Sequence, residues 1–203
     1  MIDNVHKVIF IHIPKCAGET IRKLLGEKEQ ELYDDQRGIE RRHATAQQIR
    51  DFYTNGEFDR YFKFAIVRNP YERMVSAYHY LNLRVGVIGP FEDYISQRGV
   101  YQLTEDSGKI ERTLIAPISL YDYLYGSDGN ILVDYIGRFE SLRGELHHIF
   151  KELGLPTDRI GYTWKHRGHY DHYSQYYTNK IADEVYRQYE KDFDTFHYSK
   201  ELR

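Results

Sequence analysis

Three features of this chain could do chemistry on a multiply charged anion: a lysine in a glycine-containing loop, an arginine ending an apolar run, and a histidine beside arginines. The loop is Ile13-Pro14-Lys15-Cys16-Ala17-Gly18-Glu19-Thr20, and it follows the apolar run Val8-Ile9-Phe10-Ile11. Between a strand and a helix, main-chain N–H groups and the helix N-terminus point outward together and form an anion site. Lys15 adds a full positive charge, Gly18 lets the main chain approach a ligand closely, and Thr20 offers a hydroxyl at the helix start. The order is not that of a Walker A loop, which needs an early glycine and a Gly-Lys-Ser/Thr ending. Taken alone, the loop fits a phosphate-type ligand and a purely structural turn equally well.

The second feature repeats the first. Phe62 to Val67 reads as a buried strand, and Arg68-Asn69-Pro70-Tyr71-Glu72-Arg73-Met74-Val75-Ser76 follows at once. Asn is a good N-cap and Pro is favoured at the first helical position, so a helix runs from there to about Leu81, with Met74, Tyr78 and Leu81 inward. Arg68 thus ends a strand, where ligands of open α/β sheets bind. Arg73 and Ser76, three apart on one helix face, could grip phosphate together, or be an ordinary arginine and a helical serine. Two such sites suit a ligand with two separated phosphate groups. Among ten histidines, His43 enters a helix at the Thr45 capping box and is the choice for a general base.

Two further patterns are weaker. Cys16 and Arg22 have the five-residue separation of a Cys-based phosphatase loop, but Pro14-Lys15 displaces the cysteine from the strand end and Lys23 replaces the usual Ser or Thr. His166, His169 and His172 recur every third residue, yet no carboxylate or cysteine pattern completes a metal site. A kinase built on a phosphate loop and a non-catalytic nucleotide- or sugar-binding module also stay open.

The elements that would position these residues alternate. Strands are expected at Val8–Ile13, Phe62–Val67 and Ile131–Ile136. Helices are expected at 20–25, 45–53, 70–81, 91–97, 118–125, 145–153 and from Thr178 onward, the last with Ile181, Val185, Tyr189 and Phe193 inward. This predicts an α/β fold: one domain over residues 1–203 with a mostly parallel central sheet flanked by helices. The 203 residues suffice for a sizeable core, and 41% hydrophobic with 29% charged residues excludes a disordered chain. A net charge of -3 excludes a general nucleic-acid binder. One cysteine allows no internal disulfide, and no apolar stretch reaches the 18 residues of a membrane span or resembles a signal peptide, so a cytoplasmic location is expected. The 20 tyrosines suit sugars and nucleobases, and equally a core packed with tyrosine.

Together, Ile-Pro-Lys-Cys-Ala-Gly-Glu-Thr at 13–20 and Val-Arg-Asn-Pro-Tyr-Glu-Arg-Met-Val-Ser-Ala-Tyr at 67–78 resemble the carbohydrate sulfotransferases related to heparan sulfate 2-O-sulfotransferase. Tyr135-Ile136-Gly137-Arg138-Phe139-Glu140 resembles that family's third core strand, and Trp164 to Arg167 with Tyr176-Tyr177-Thr178 its C-terminal segment. The resemblance implies a P-loop-like sulfotransferase fold and the donor PAPS (3′-phosphoadenosine 5′-phosphosulfate), with product PAP and no required metal. It places the phosphosulfate on the loop Lys15, Cys16, Ala17, Gly18, Glu19 and Thr20, and the 3′-phosphate on Arg68 and Ser76. It makes His43 the catalytic base, with Lys15 stabilising the leaving group, and Arg42, His43 and Arg167 acceptor-side residues. The chain resembles a soluble bacterial-type member, and the acceptor does not carry over from the resemblance; the Tyr and Arg residues of 84–130 and 160–177 suggest a hydroxyl of a glycan or glycoconjugate, with a small phenol or a lipid-linked sugar left open.

Overall fold

The computed structural model describes residues 2–26, 43–53, 56–85, 89–97, 100–104, 110–114, 118–161 and 170–202. Among these the strands are β1 (Ile2–Asp3), β2 (Val8–Ile11), β3 (Phe62–Val67), β4 (Val100–Thr104), β5 (Ile110–Leu114) and β6 (Tyr135–Arg138). The helices are α1 (Gly18–Leu24), α2 (Ala46–Phe52), α3 (Glu57–Arg60), α4 (Pro70–Val85), α5 (Phe91–Ser96), α6 (Leu120–Leu124), α7 (Leu142–Glu152), α8 (Asn179–Gln188) and α9 (Glu190–Thr195). The chain forms two compact units, Met1–Arg68 with Leu120–Arg167, and Asn69–Ser119 with Gly168–Arg203.

The first unit holds a four-stranded sheet in the order β1-β2-β3-β6. β2, β3 and β6 run parallel, and the short β1 pairs antiparallel with β2. The fold is therefore α/β with a mostly parallel sheet flanked by helices. β2 reads as an unbroken apolar run and β3 as one interrupted only by Lys63, because both sheet faces are covered, and Phe10, Ile11, Phe64 and Ile66 are wholly buried. The Phe10 and Phe64 rings stack across the two strands at 5.0 Å.

The third strand lies further along the chain than expected, at Tyr135–Arg138 rather than Ile131–Ile136. Asp134 sets its start. Its N–H donates to the Lys63 carbonyl (2.8 Å), while its carboxylate accepts the Lys63 N–H (2.7 Å) and faces the Lys63 ammonium (2.9 Å). The ladder then opens at Phe64 opposite Tyr135. Leu132 and Val133 are buried ahead of the strand rather than within it.

α7 packs back on β6 through Glu145. One of its carboxylate oxygens accepts the Arg138 N–H (3.1 Å) and the Ser141 hydroxyl (2.9 Å), and the other accepts the Tyr135 hydroxyl (2.5 Å). Burial, then this bond, pushes the Tyr135 phenol up to about 12. Gly137 makes the approach possible, since a Cβ there would lie 3.1 Å from the Glu145 Cβ.

In the second unit, α4 starts as expected: Asn69 Oδ1 accepts the Tyr71 N–H (2.9 Å) and Pro70 follows. The tyrosines are core material here. Tyr71 and Tyr94 are buried, the Tyr71 hydroxyl donates to the Lys200 carbonyl (2.9 Å), and the Tyr177 hydroxyl donates to the Tyr71 carbonyl (2.9 Å). The expected last helix is two, α8 and α9, meeting at Tyr189 (φ -124°, ψ 26°). Ile181, Val185, Tyr189 and Phe193 are nonetheless all buried. β4 and β5 pair antiparallel between the helices expected at 91–97 and 118–125, where the residue order suggests no strand. No helix among the described residues is long and apolar enough to cross a membrane.

α1 begins against His12, which is 5% exposed. A Cβ at Gly18 would lie 1.6 Å from His12 Nε2. The glycine thus admits a histidine ring under the helix start. Gly18→Ala should lower stability by about 1–3 kcal/mol, read by chemical denaturation. Combined with His12→Ala it should cost less than the sum of the two.

Candidate functional site

Lys15 and Ala17 both sit in the left-handed region, at φ 67° and 64°. For residues carrying a Cβ this costs on the order of 1 kcal/mol each. Strain of this kind gathers at ligand loops, where changes of handedness let successive N–H groups line one concavity. Ala17 is the N-cap of α1 and has no side chain able to bond the first-turn N–H groups. The loop thus has a built shape and main-chain donors at the head of a helix.

Arg68 ends β3 beside this loop. It is 5% exposed, its Nη1 donates to the Lys15 carbonyl (3.1 Å), and its guanidinium lies 3.9 Å from the centre of the Phe139 ring. Because β2 and β3 are parallel neighbours, residues 53 apart in sequence meet at one sheet edge. The Lys15 ammonium is pulled down to about 8, first by burial and next by the Arg68 charge, with Cys16 and Glu19 acting the other way. Two cations therefore share one partly dry place.

His43 closes the same edge. Its Nδ1 lies 2.9 Å from the His12 carbonyl oxygen, and the two imidazole rings meet edge-on at 4.5 Å. A carbonyl only accepts, so Nδ1 carries the hydrogen in this bond and the neutral ring keeps its lone pair on Nε2.

The structure thus brings together Lys15, the loop through Thr20, Arg68 and His43. Glu19 reaches Arg22 at 3.4 Å, so the arginine that a Cys-based phosphatase loop would turn onto its anion pairs with a carboxylate of its own helix. Cys16 is buried at 1% exposure. Ser76 is buried on α4, in the second unit. Arg73, read as its companion on phosphate, donates both terminal nitrogens to the Ile118 carbonyl at 3.0 Å and is 1% exposed, which makes it an internal brace. Arg42, Arg167, His166 and His169 lie outside the described residues. His172 Nδ1 bonds the Ser174 hydroxyl (2.9 Å). Among the described residues, no group of three or more His, Cys, Asp or Glu side chains is placed to hold a metal.

Sequence reasoning passed over two residues here. His12 was read as part of an apolar strand; the signal was a histidine set within that run, just before the loop. Phe139 lies in the segment that resembles the family's third core strand, and nothing in the residue order marks its ring for a contact with Arg68.

Compared with known proteins, residues 1–103 of the chain match the model of the sulfotransferase family. No curated protein and no solved structure matches the chain. The matched half contains Lys15, Gly18, His43 and Arg68 with both strands that carry the two loops, and on that match the chain belongs to the sulfotransferase family.

Proposed function

We propose that the protein moves a sulfuryl group from PAPS to a hydroxyl of a carbohydrate acceptor, with His43 as base. The observation that carries this reading is the pairing of Lys15 with Arg68 at the carboxyl ends of adjacent parallel strands, inside the half matched by the family. The two cations lower each other's comfort in a poorly hydrated place, and an anion beside them would relieve both repulsion and desolvation. The residues present therefore fit the phosphosulfate.

Bound there, PAPS would supply an activated sulfuryl group, and PAP is what remains after transfer. Lys15 places positive charge where the leaving oxygen gains negative charge. The left-handed turns at Lys15 and Ala17 lead the chain into the head of α1, whose first-turn N–H groups from Gly18 to Thr20 would face the same anion, while the Cys16 N–H closes the turn on the Ile13 carbonyl (3.3 Å). Arg68 braces that loop through the Lys15 carbonyl. His43, oriented by the His12 carbonyl, takes the acceptor proton on Nε2. The rest is alignment, as in phosphoryl transfer, and none of these roles calls on a divalent ion. Arg42 and Arg167 are proposed on the acceptor side from the sequence alone.

Calorimetry on the purified chain should show PAP binding in the micromolar range without metal, and ATP binding much more weakly. Lys15→Ala should cost about 30-fold to 1000-fold in PAP affinity, as expected for losing a charged hydrogen bond. Comparable PAP and ATP affinities, or an unaffected Lys15→Ala variant, would refute the reading.

His43→Ala should keep PAP binding within about twofold and lower PAPS-dependent turnover of a glycan acceptor by about 100-fold to 10,000-fold. A non-catalytic binding module would instead show no turnover in either form.

The Lys15 charge also fixes a pH window. The ordinary lysine value is 10.5 and the folded value is about 8. Lys15 is charged below pH 8, so PAP affinity should hold there and fall as pH rises through 8. Above pH 8, binding should take up a proton, seen as binding heats that depend on the buffer's ionisation enthalpy. In the free protein the sign reverses for stability: between about 8 and 10.5 the unfolded chain binds more protons, so this group's contribution rises with pH.

A further inference from the structure

We infer that Phe139 is a positioning residue for nucleotide binding, its ring fixing the Arg68 guanidinium and, through the bond to the Lys15 carbonyl, the lysine loop; this rests on the function proposed above. Three neighbouring parallel strands contribute one residue each at the same edge: β2 leads to Lys15, β3 to Arg68, and β6 to Phe139. Val67 is paired with Arg138, so the residues that follow, Arg68 and Phe139, leave the sheet side by side. The ring then lies 3.9 Å from the guanidinium carbon.

A flat ring under a flat cation is directional in a way an aliphatic contact is not. It attracts the charge, allows the guanidinium to stay parallel to it, and leaves the edge nitrogens for hydrogen bonds. Arg68 uses one of those, Nη1, on the Lys15 carbonyl. The ring is itself held from behind. Glu145 takes the Arg138 N–H just before it and the Ser141 hydroxyl just after it, so the turn Phe139–Ser141 is bracketed by one carboxylate. Glu145 in turn is seated on Gly137 and bonded to Tyr135. The line of support runs from α7 through the ring to the arginine and then to the loop. It also keeps the Arg68 charge near Lys15, whose lowered pKa has that charge among its causes.

The test compares Phe139→Leu, which keeps apolar bulk without a ring, with Phe139→Tyr, which keeps the ring. Phe139→Met is a second ring-free variant should Leu not fold. PAP affinity should fall about threefold to tenfold in the ring-free variant and return in Phe139→Tyr. In an Arg68→Ala background the Phe139 change should add no further loss. A ring-free variant within twofold of the parent, or an equal loss in the Arg68→Ala background, overturns the inference, because a merely structural ring would behave so. A second readout needs no nucleotide: titration of the Lys15 side chain by NMR. Removing the ring should raise its midpoint from about 8 by about half a pH unit as Arg68 moves off. An unmoved midpoint overturns the inference. Should the parent chain fail to bind PAP, the proposed function falls and the Lys15 titration alone decides the role of Phe139.

Discussion

Two like charges held together at the edge of a small sheet are the constraint around which the first unit is arranged. Bringing Lys15 and Arg68 out of water and next to each other is unfavourable on both counts. Each cation meets that in its own way. Arg68 cannot lose its proton, so its charge is spread over the Phe139 ring and a carbonyl oxygen. Lys15 can, and its pKa falls to about 8. The difference between guanidinium and ammonium chemistry thus decides which residue is the fixed brace and which is the adjustable charge.

The arrangement depends on contacts far apart in sequence. Lys15 and Arg68 meet because β2 and β3 are parallel neighbours, and Phe139 joins them because β6 pairs with β3. The Lys63–Asp134 pair fixes where β6 starts, at the opposite end of the same strands. A slip of one residue there would send Phe139 to the other face of the sheet. The register of a strand with no chemistry of its own therefore determines the stacking under Arg68.

Much of this was legible from residue order. β3, the start of α4 at Asn69-Pro70 and the capping box at Thr45 all lie where the local signals put them, because each depends on neighbours in sequence. The place of the loop at 13–20 between β2 and α1, and of Arg68 after β3, was legible for the same reason. The shifted β6 was not, because Asp134 acts through a residue 71 positions away. The break at Tyr189 carries no proline or glycine to announce it, and the inward spacing of Ile181, Val185, Tyr189 and Phe193 reads the same through one helix or two. The purpose of Gly18 was half legible. A close approach was expected, and the group the structure places against Gly18 is the His12 ring. Which aromatic ring carries an arginine is a tertiary fact, and the hydrophobic pattern around Phe139 does not encode it.

His12 ties two tasks to one residue. Its ring fills the space under Gly18 at the head of α1, and its carbonyl fixes the tautomer of His43. On the proposed chemistry, the group that shapes the donor side also aims the base at the acceptor. A change of side chain here would leave that carbonyl in place but empty the space under Gly18 and remove the edge-on contact with the His43 ring, so it would disturb both halves of the proposed reaction at once. Selection or engineering that retunes the enzyme for a new acceptor would therefore meet a pleiotropic residue here, and adaptive variation should accumulate elsewhere in the chain.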